Sequence, residues 1–221
     1  MLSPLQEQVA AIIASLPEAE DFALAGGGAL IVRGEIQRGT RDLDFFGLNA
    51  AAVDRLAPVV QQQLNRAGYK VDLVLSGPGF SRLTVEGFGD RTEVDPAADA
   101  RLFPAELGPN GILLLSGAEL AVDKVLAVFG RAEARDLLDL SAVEGGFDLR
   151  QLFALSAQKD RGFNVGVFAE MTERFDRLPR EEFATSDQGY ERLKVAVVRW
   201  RAFARTLSLE AGVDRDLGLE R

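Results

Sequence analysis

The 221-residue chain contains no cysteine and no histidine. Without thiol or imidazole it can build no disulfide, no Cys/His zinc site, no Ser-His-Asp triad and no imidazole acid-base pair. Any chemistry must run on Asp, Glu, Lys, Arg, Ser, Thr or Tyr, and a metal would have to be a hard, magnesium-type ion taken by carboxylate oxygens. Long hydrophobic runs are also missing. The longest uncharged apolar stretch, around Phe22 to Val32, falls far short of the ~20 residues that span a bilayer, and the opening MLSPLQEQVAAIIASL carries no basic leader segment. A soluble, cytoplasmic protein with no membrane partner is expected. Positive charge is scarce too: Lys and Arg total 25 against 34 Asp and Glu, a net charge of −9. That balance opposes general binding to polyanions while leaving room for a local basic face.

What the chain does have is 47% apolar residues, enough for one sizeable core or two small ones. The pattern predicts a helix over SPLQEQVAAIIASL, with Ser3 as N-cap, Gln6 completing a capping box and Pro17 ending it. A short buried strand, FALA, follows. Gly26 to Gly28 are expected to turn the chain, and ALIVRGEIQ to be helical. RDLDFF reads as a strand, and Asn49 as the cap of a helix bent at Pro58 and closed by Gly68. Three further strands, YKVDLVLS, FSRLTVEGF and RTEVD, are separated by the turn signals GPG and GFGD. Beyond PAELGPNG only helical patterns remain. The fold class is therefore α/β (α+β), with residues 1–110 forming a mixed-sheet core and residues 111–221 a helical domain.

The chemistry concentrates in RDLDFF. Alternation on a strand puts Leu43 and Phe45 on one face and Asp42 and Asp44 on the other, about 7 Å apart. Two carboxylates so placed can bracket metal ions for phosphoryl or nucleotidyl transfer. Asp95 in RTEVDP is expected as the third ligand, with Glu93 on the same face as its substitute, and Pro96 is tolerable only if the strand ends there. The glycines upstream would let backbone amides approach a triphosphate. A solvated edge, salt-bridged to Arg38 and Arg41, is the plainer account of an isolated DxD. Here the apolar flanks favour a cleft or a cation. A dinucleotide-binding turn is disfavoured, because GxGxxG would need glycine or alanine where Ile31 stands.

GG followed by RGTRDLDFF resembles the signature of the polymerase-beta-type nucleotidyltransferase superfamily, and within it the AbiEii/AbiGii family of toxin nucleotidyltransferases, including the MenT-like toxins. LLSGAELAVDKVLAVFGRAEARDLLDL is similar to the family's later Lys and RDxxDL motifs. The resemblance implies a nucleotidyltransferase-type mixed sheet and a helical domain that completes the active-site cleft. It implies Mg²⁺ on Asp42, Asp44 and Asp95, triphosphate binding by Gly26, Gly27, Thr40 and Lys124, and catalytic roles for Asp42, Asp44, Lys124 and Asp139. Asp139 would orient Lys124 or assist deprotonation of the attacking hydroxyl, and Asp136 would be the structural partner of Arg131 or Arg135. The implied reaction transfers NMP from an NTP to an acceptor hydroxyl, the tRNA 3′ end, in a toxin controlled by a cognate antitoxin. A small-molecule nucleotidyltransferase and a catalytically silent binding module of the same fold remain as alternatives.

From its residues alone, Lys124 could also be a snorkelling lysine on a helix that starts at the SGAE capping box. YERLKVAVVRWRAFARTL combines an apolar stripe of Leu193, Val197, Trp200, Ala204 and Leu207 with Arg192, Lys194, Arg199, Arg201 and Arg205. A solvated helix face is the ordinary account of those cations, and an RNA-phosphate face the alternative.

Overall fold

The computed structural model describes residues 1–216. The chain divides into two compact units, Met1–Leu120 and Ala121–Arg221.

The first unit opens with helix α1 (Pro4–Ala14), capped by Ser3 and Gln6 in the reciprocal manner its sequence predicts. Strand β1 (Ala23–Leu24) leads into helix α2 (Gly26–Val32). Here the structure corrects the sequence reading: the three glycines do not form a turn ahead of a helix but make up its first turn. Gly26 itself holds φ +54, and α2 ends early because Arg33 caps it and Gly34 adopts φ +78. Strand β2 (Asp42–Gly47) is followed by helix α3 (Ala50–Arg66), capped by Asn49 and continuous through Pro58, and Gly68 reverses the chain at φ +93. Then come β3 (Lys70–Gly77), β4 (Phe80–Gly87), β5 (Asp90–Ala98), β6 (Glu106–Leu107) and β7 (Leu113–Leu114).

These strands form one seven-stranded mixed sheet in the order β3-β4-β5-β2-β1-β7-β6. β3, β4 and β5 are an antiparallel meander, β5 runs parallel to β2, and β1 is antiparallel to β2 and parallel to β7. A second correction concerns Pro96. The strand does not end there: Pro96 registers with Phe45 inside β5. It is accommodated because the β4 ladder is recorded at Phe80↔Ala97 and resumes at Leu83↔Val94, so no β4 partner needs the missing N–H.

Strand alternation gives the sheet two chemically distinct faces. Leu43, Phe45, Leu83, Val85 and Val94 are essentially fully buried, as are Val53, Leu56, Val60 and Leu64 of α3, which packs on β3, β4 and β5. Each such burial contributes about 1.5–3 kcal/mol. α1 is fastened to the same face by the Gln6 amide, which donates to Thr92 Oγ1 at 3.2 Å and to the Thr40 carbonyl at 3.0 Å. The opposite face carries the charged residues of β2 and β5.

The second unit is helical and begins within helix α4 (Gly117–Gly130). That helix starts at Ser116, whose Oγ accepts the Glu119 N–H, and is followed by α5 (Ala134–Val143), α6 (Leu149–Lys159), α7 (Val165–Met171) and α8 (Asp187–Asp216). Leu193, Val197, Trp200 and Ala204 of α8 are fully buried, the core role their spacing predicts. Phe129, Phe153, Phe163, Phe168 and Phe203 form one aromatic cluster, and Phe175, Phe183 and Tyr190 a second. Among the described residues no helix is long and apolar enough to cross a membrane.

Candidate active site

In the first unit the parallel pairing of β2 with β5 sets Asp42 opposite Glu93 and Asp44 opposite Asp95. Residues in register across a ladder share a face, so four carboxylates stand together, with neighbouring strands ~4.8 Å apart. Asp42 and Asp44 are half-buried. The Thr40 hydroxyl donates to Asp42 Oδ1 at 2.7 Å. Gly26 and Gly27 border the same place. A Cβ on Gly26 would overlap the Asp44 carboxylate, and one on Gly27 would come within 2.9 Å of Thr40 Oγ1. Glycine is thus required at Gly26 twice, by its positive φ and by the carboxylate lying against its backbone. The structure therefore brings together Gly26, Gly27, Thr40, Asp42, Asp44 and Asp95 from segments far apart in sequence.

Asp95, expected as a third metal ligand, has another engagement. Its side chain is only 6% exposed and receives a fork from Arg82: Nε at 2.9 Å to Oδ1 and Nη2 at 2.5 Å to Oδ2. Arg82 Nε also lies 3.4 Å from Glu93 Oε2. The guanidinium is stabilised in its charged form first by the hydrogen bonds to Asp95, then, against the cost of burial, by the charges of Asp95, Glu93 and Asp42. Among the described residues no group of three or more Asp, Glu, Cys or His side chains gathers as a metal cage. Asp42 and Asp44, hard oxygen donors on one face beside a glycine cradle, do fit a divalent ion.

Arg82 and Gln6 were not singled out by their sequence. The available signal for Arg82 is its place in FSRLTVEGF, where it alternates with the buried Ser81 and Leu83 and so faces away from the core. Gln6 was foreseen only as a cap. Its amide is what ties the Thr40 segment to α1.

In the second unit Lys124 of α4 meets Asp139 of α5, Nζ to Oδ2 at 3.0 Å, with side chains 9% and 1% exposed. A solvated lysine would not be so enclosed, so the snorkelling reading does not hold. Three residues away, Asp136 is fully buried and takes a fork from Arg131, Nε at 2.8 Å and Nη2 at 2.9 Å, plus the Glu133 N–H at 3.2 Å. Burial alone would raise the Asp136 carboxyl; the Arg131 hydrogen bonds and charge, aided by Lys124, outweigh it and hold the group below the ordinary carboxylate range. Arg135 turns outward to Glu133. Four of the five α8 cations named from the sequence are paired within their own unit: Arg199 with Glu144, Arg201 with Asp176 and Thr172, Arg205 with Glu173, and Lys194 with Glu191.

Comparison with known proteins agrees with the mixed sheet. The family model "Nucleotidyl transferase AbiEii toxin, Type IV TA system" matches residues 9–212. Two solved structures from Helicobacter pylori are similar at 16% identity. JHP933 superposes with TM-score 0.54 over 97% of this chain and 100% of its own, and a candidate nucleotidyltransferase with TM-score 0.52 over 92% and 94%. These likenesses establish the fold. No curated protein matches the sequence.

Proposed function

The chain belongs to the AbiEii family of nucleotidyltransferase toxins of type IV toxin–antitoxin systems, and from that membership we propose that it transfers NMP from an NTP to the 3′ hydroxyl of tRNA under the control of a cognate antitoxin. The observation that carries the assignment of the site is the Asp42–Asp44 pair packed against Gly26 and steadied by Thr40. Asp42 and Asp44 would hold a divalent ion, Mg²⁺ by its hardness and abundance. When bound, it supplies Lewis-acid charge to the attacking and leaving oxygens. Backbone amides at Gly26 and Gly27 and the Thr40 hydroxyl are assigned to the triphosphate. By family resemblance Lys124 is assigned to its phosphates as a point charge, and Asp139, enclosed and hydrogen-bonded to that ammonium, would keep it oriented. The acceptor oxygen attacks the α-phosphorus in line, its proton passing to solvent and its bond forming as the bond to the β-phosphate oxygen breaks, and pyrophosphate leaves.

The engagement of the α8 cations with acidic neighbours favours, as a second reading, a small-molecule hydroxyl as acceptor, since that needs no extended basic surface. One experiment addresses both. Purified protein is incubated with Mg²⁺, each labelled NTP in turn, and either bulk tRNA or small hydroxyl acceptors. Label should pass to tRNA from one preferred NTP, and Asp44→Asn should lower the rate about a thousandfold. Transfer only to small acceptors replaces the tRNA reading, and transfer unaffected by Asp44→Asn removes the assigned site.

A further inference from the structure

A face carrying Asp42, Asp44, Glu93 and Asp95 within two paired strands concentrates negative charge, and the fold places one cation directly onto its third carboxylate. Both Asp95 oxygens accept from Arg82, and the Arg82 Nε also stands 3.4 Å from Glu93. The two partners differ in freedom. The Asp95 side chain is 6% exposed and fixed in the sheet; the Arg82 side chain is 38% exposed, with its guanidinium carbon 5.9 Å from the centre of the Phe80 ring. Asp95 cannot leave, and Arg82 can. A divalent ion that drew on Asp95 would compete with the arginine for the same two oxygens, so the two cations exclude one another there.

We propose that Arg82 is a tethered cation that keeps Asp95 out of the ion site, so that release of this arginine limits how tightly the acidic face binds a divalent ion. While the fork is closed, the ion depends on Asp42 and Asp44; when it opens, Asp95 joins them. This rests on the assignment of Asp42 and Asp44 as ion ligands, and it makes Arg82 a positioning residue that acts through Asp95.

The test is a Mn²⁺ titration of the full chain, with free ion followed by electron paramagnetic resonance, so that no nucleotide or turnover is needed. Arg82→Met should bind Mn²⁺ at least about tenfold more tightly than the wild type, because a charge in contact with the ligands is gone. Arg82→Met/Asp95→Asn should fall back to within about threefold of the wild type, and Arg66→Met, which removes the same formal charge at the end of α3, should change affinity less than about twofold. Equal or weaker binding by Arg82→Met overturns the proposal, as does a gain that survives Asp95→Asn or is matched by Arg66→Met. If Arg82→Met does not fold, Arg82→Lys decides. It keeps the charge but lacks the fork, and should still gain about threefold; no gain overturns the proposal. Nucleotidyl transfer measured separately distinguishes the failures: transfer intact with unchanged Mn²⁺ binding sinks this inference alone, whereas tighter Mn²⁺ binding with no transfer sinks the functional assignment alone.

Discussion

Each unit contains a buried aspartate held by an arginine fork, and the two forks are alike in geometry but not in surroundings. Arg131 reaches Asp136 across the α4–α5 joint, five residues along the chain, next to Ala132 at φ +45. It fastens two helices, and its aspartate also caps the Glu133 N–H. Arg82 reaches Asp95 across a β-ladder, thirteen residues along the chain, and arrives on a face that holds three more carboxylates. In one fork a half-exposed guanidinium closes on a fully buried aspartate at a helix joint; the other lies where a competing cation finds further carboxylates. The same chemical device therefore serves a structural role in one place and borders the reactive site in the other, and the neighbours decide which.

The largest effect bearing on this comparison separates these forks from the pair that is assigned to the reaction. Lys124→Met should lower kcat by about a hundredfold, as removal of one preorganised charge contact does, and steady-state kinetics with the preferred NTP would show it. An unchanged kcat would return Lys124 to a purely structural role beside Asp139.

The next effect breaks the comparison itself. Arg131→Met leaves the buried Asp136 with only the Lys124 charge and the Glu133 N–H to offset its burial and should cost about 2–4 kcal/mol of stability, allowing for the half-exposed guanidinium. Thermal melts should show this loss with or without Mn²⁺, while any destabilisation in Arg82→Met should be relieved by Mn²⁺. Relief of Arg131→Met to the same degree would erase the distinction between the forks.

The smallest effect concerns acid. Because the folded Asp136 carboxyl lies below its ordinary value, its contribution to stability is present above about pH 4 and is lost as pH falls through the depressed folded value. In Arg131→Met the burial that raises the group is opposed only by the Lys124 charge and the Glu133 N–H, so the depression shrinks. The acid-unfolding midpoint followed by circular dichroism should move up by about one pH unit. A midpoint that stays in place would show that the fork does not govern this titration.

Much of the molecule was legible in short-range signals. Ser3, Asn49 and Ser116 begin their helices as their types and spacings predict, and the alternation of Leu43 and Phe45 with Asp42 and Asp44 places the acids on the face away from the core. Lys124 and Asp139 were both named from the resemblance, but their 3.0 Å contact depends on how α5 returns past α4. The glycine cluster signals the site but not its own local structure, because Gly26 opens a helix at a positive φ with the Asp44 carboxylate packed where a Cβ would stand. Pro96 was misjudged for a related reason: whether a strand tolerates proline depends on the partner strand's register.

The sequence by itself determined where helices start, which side chains of each strand point to the core, and which residues carry charge, since all of these follow from patterns within a few residues. Only the tertiary structure decided that β5 lies between β4 and β2. That placement gives Asp95 two neighbours, Asp44 on one side and Arg82 on the other. Strand order and register are fixed by packing of the whole sheet against α1 and α3, and no local pattern carries that information.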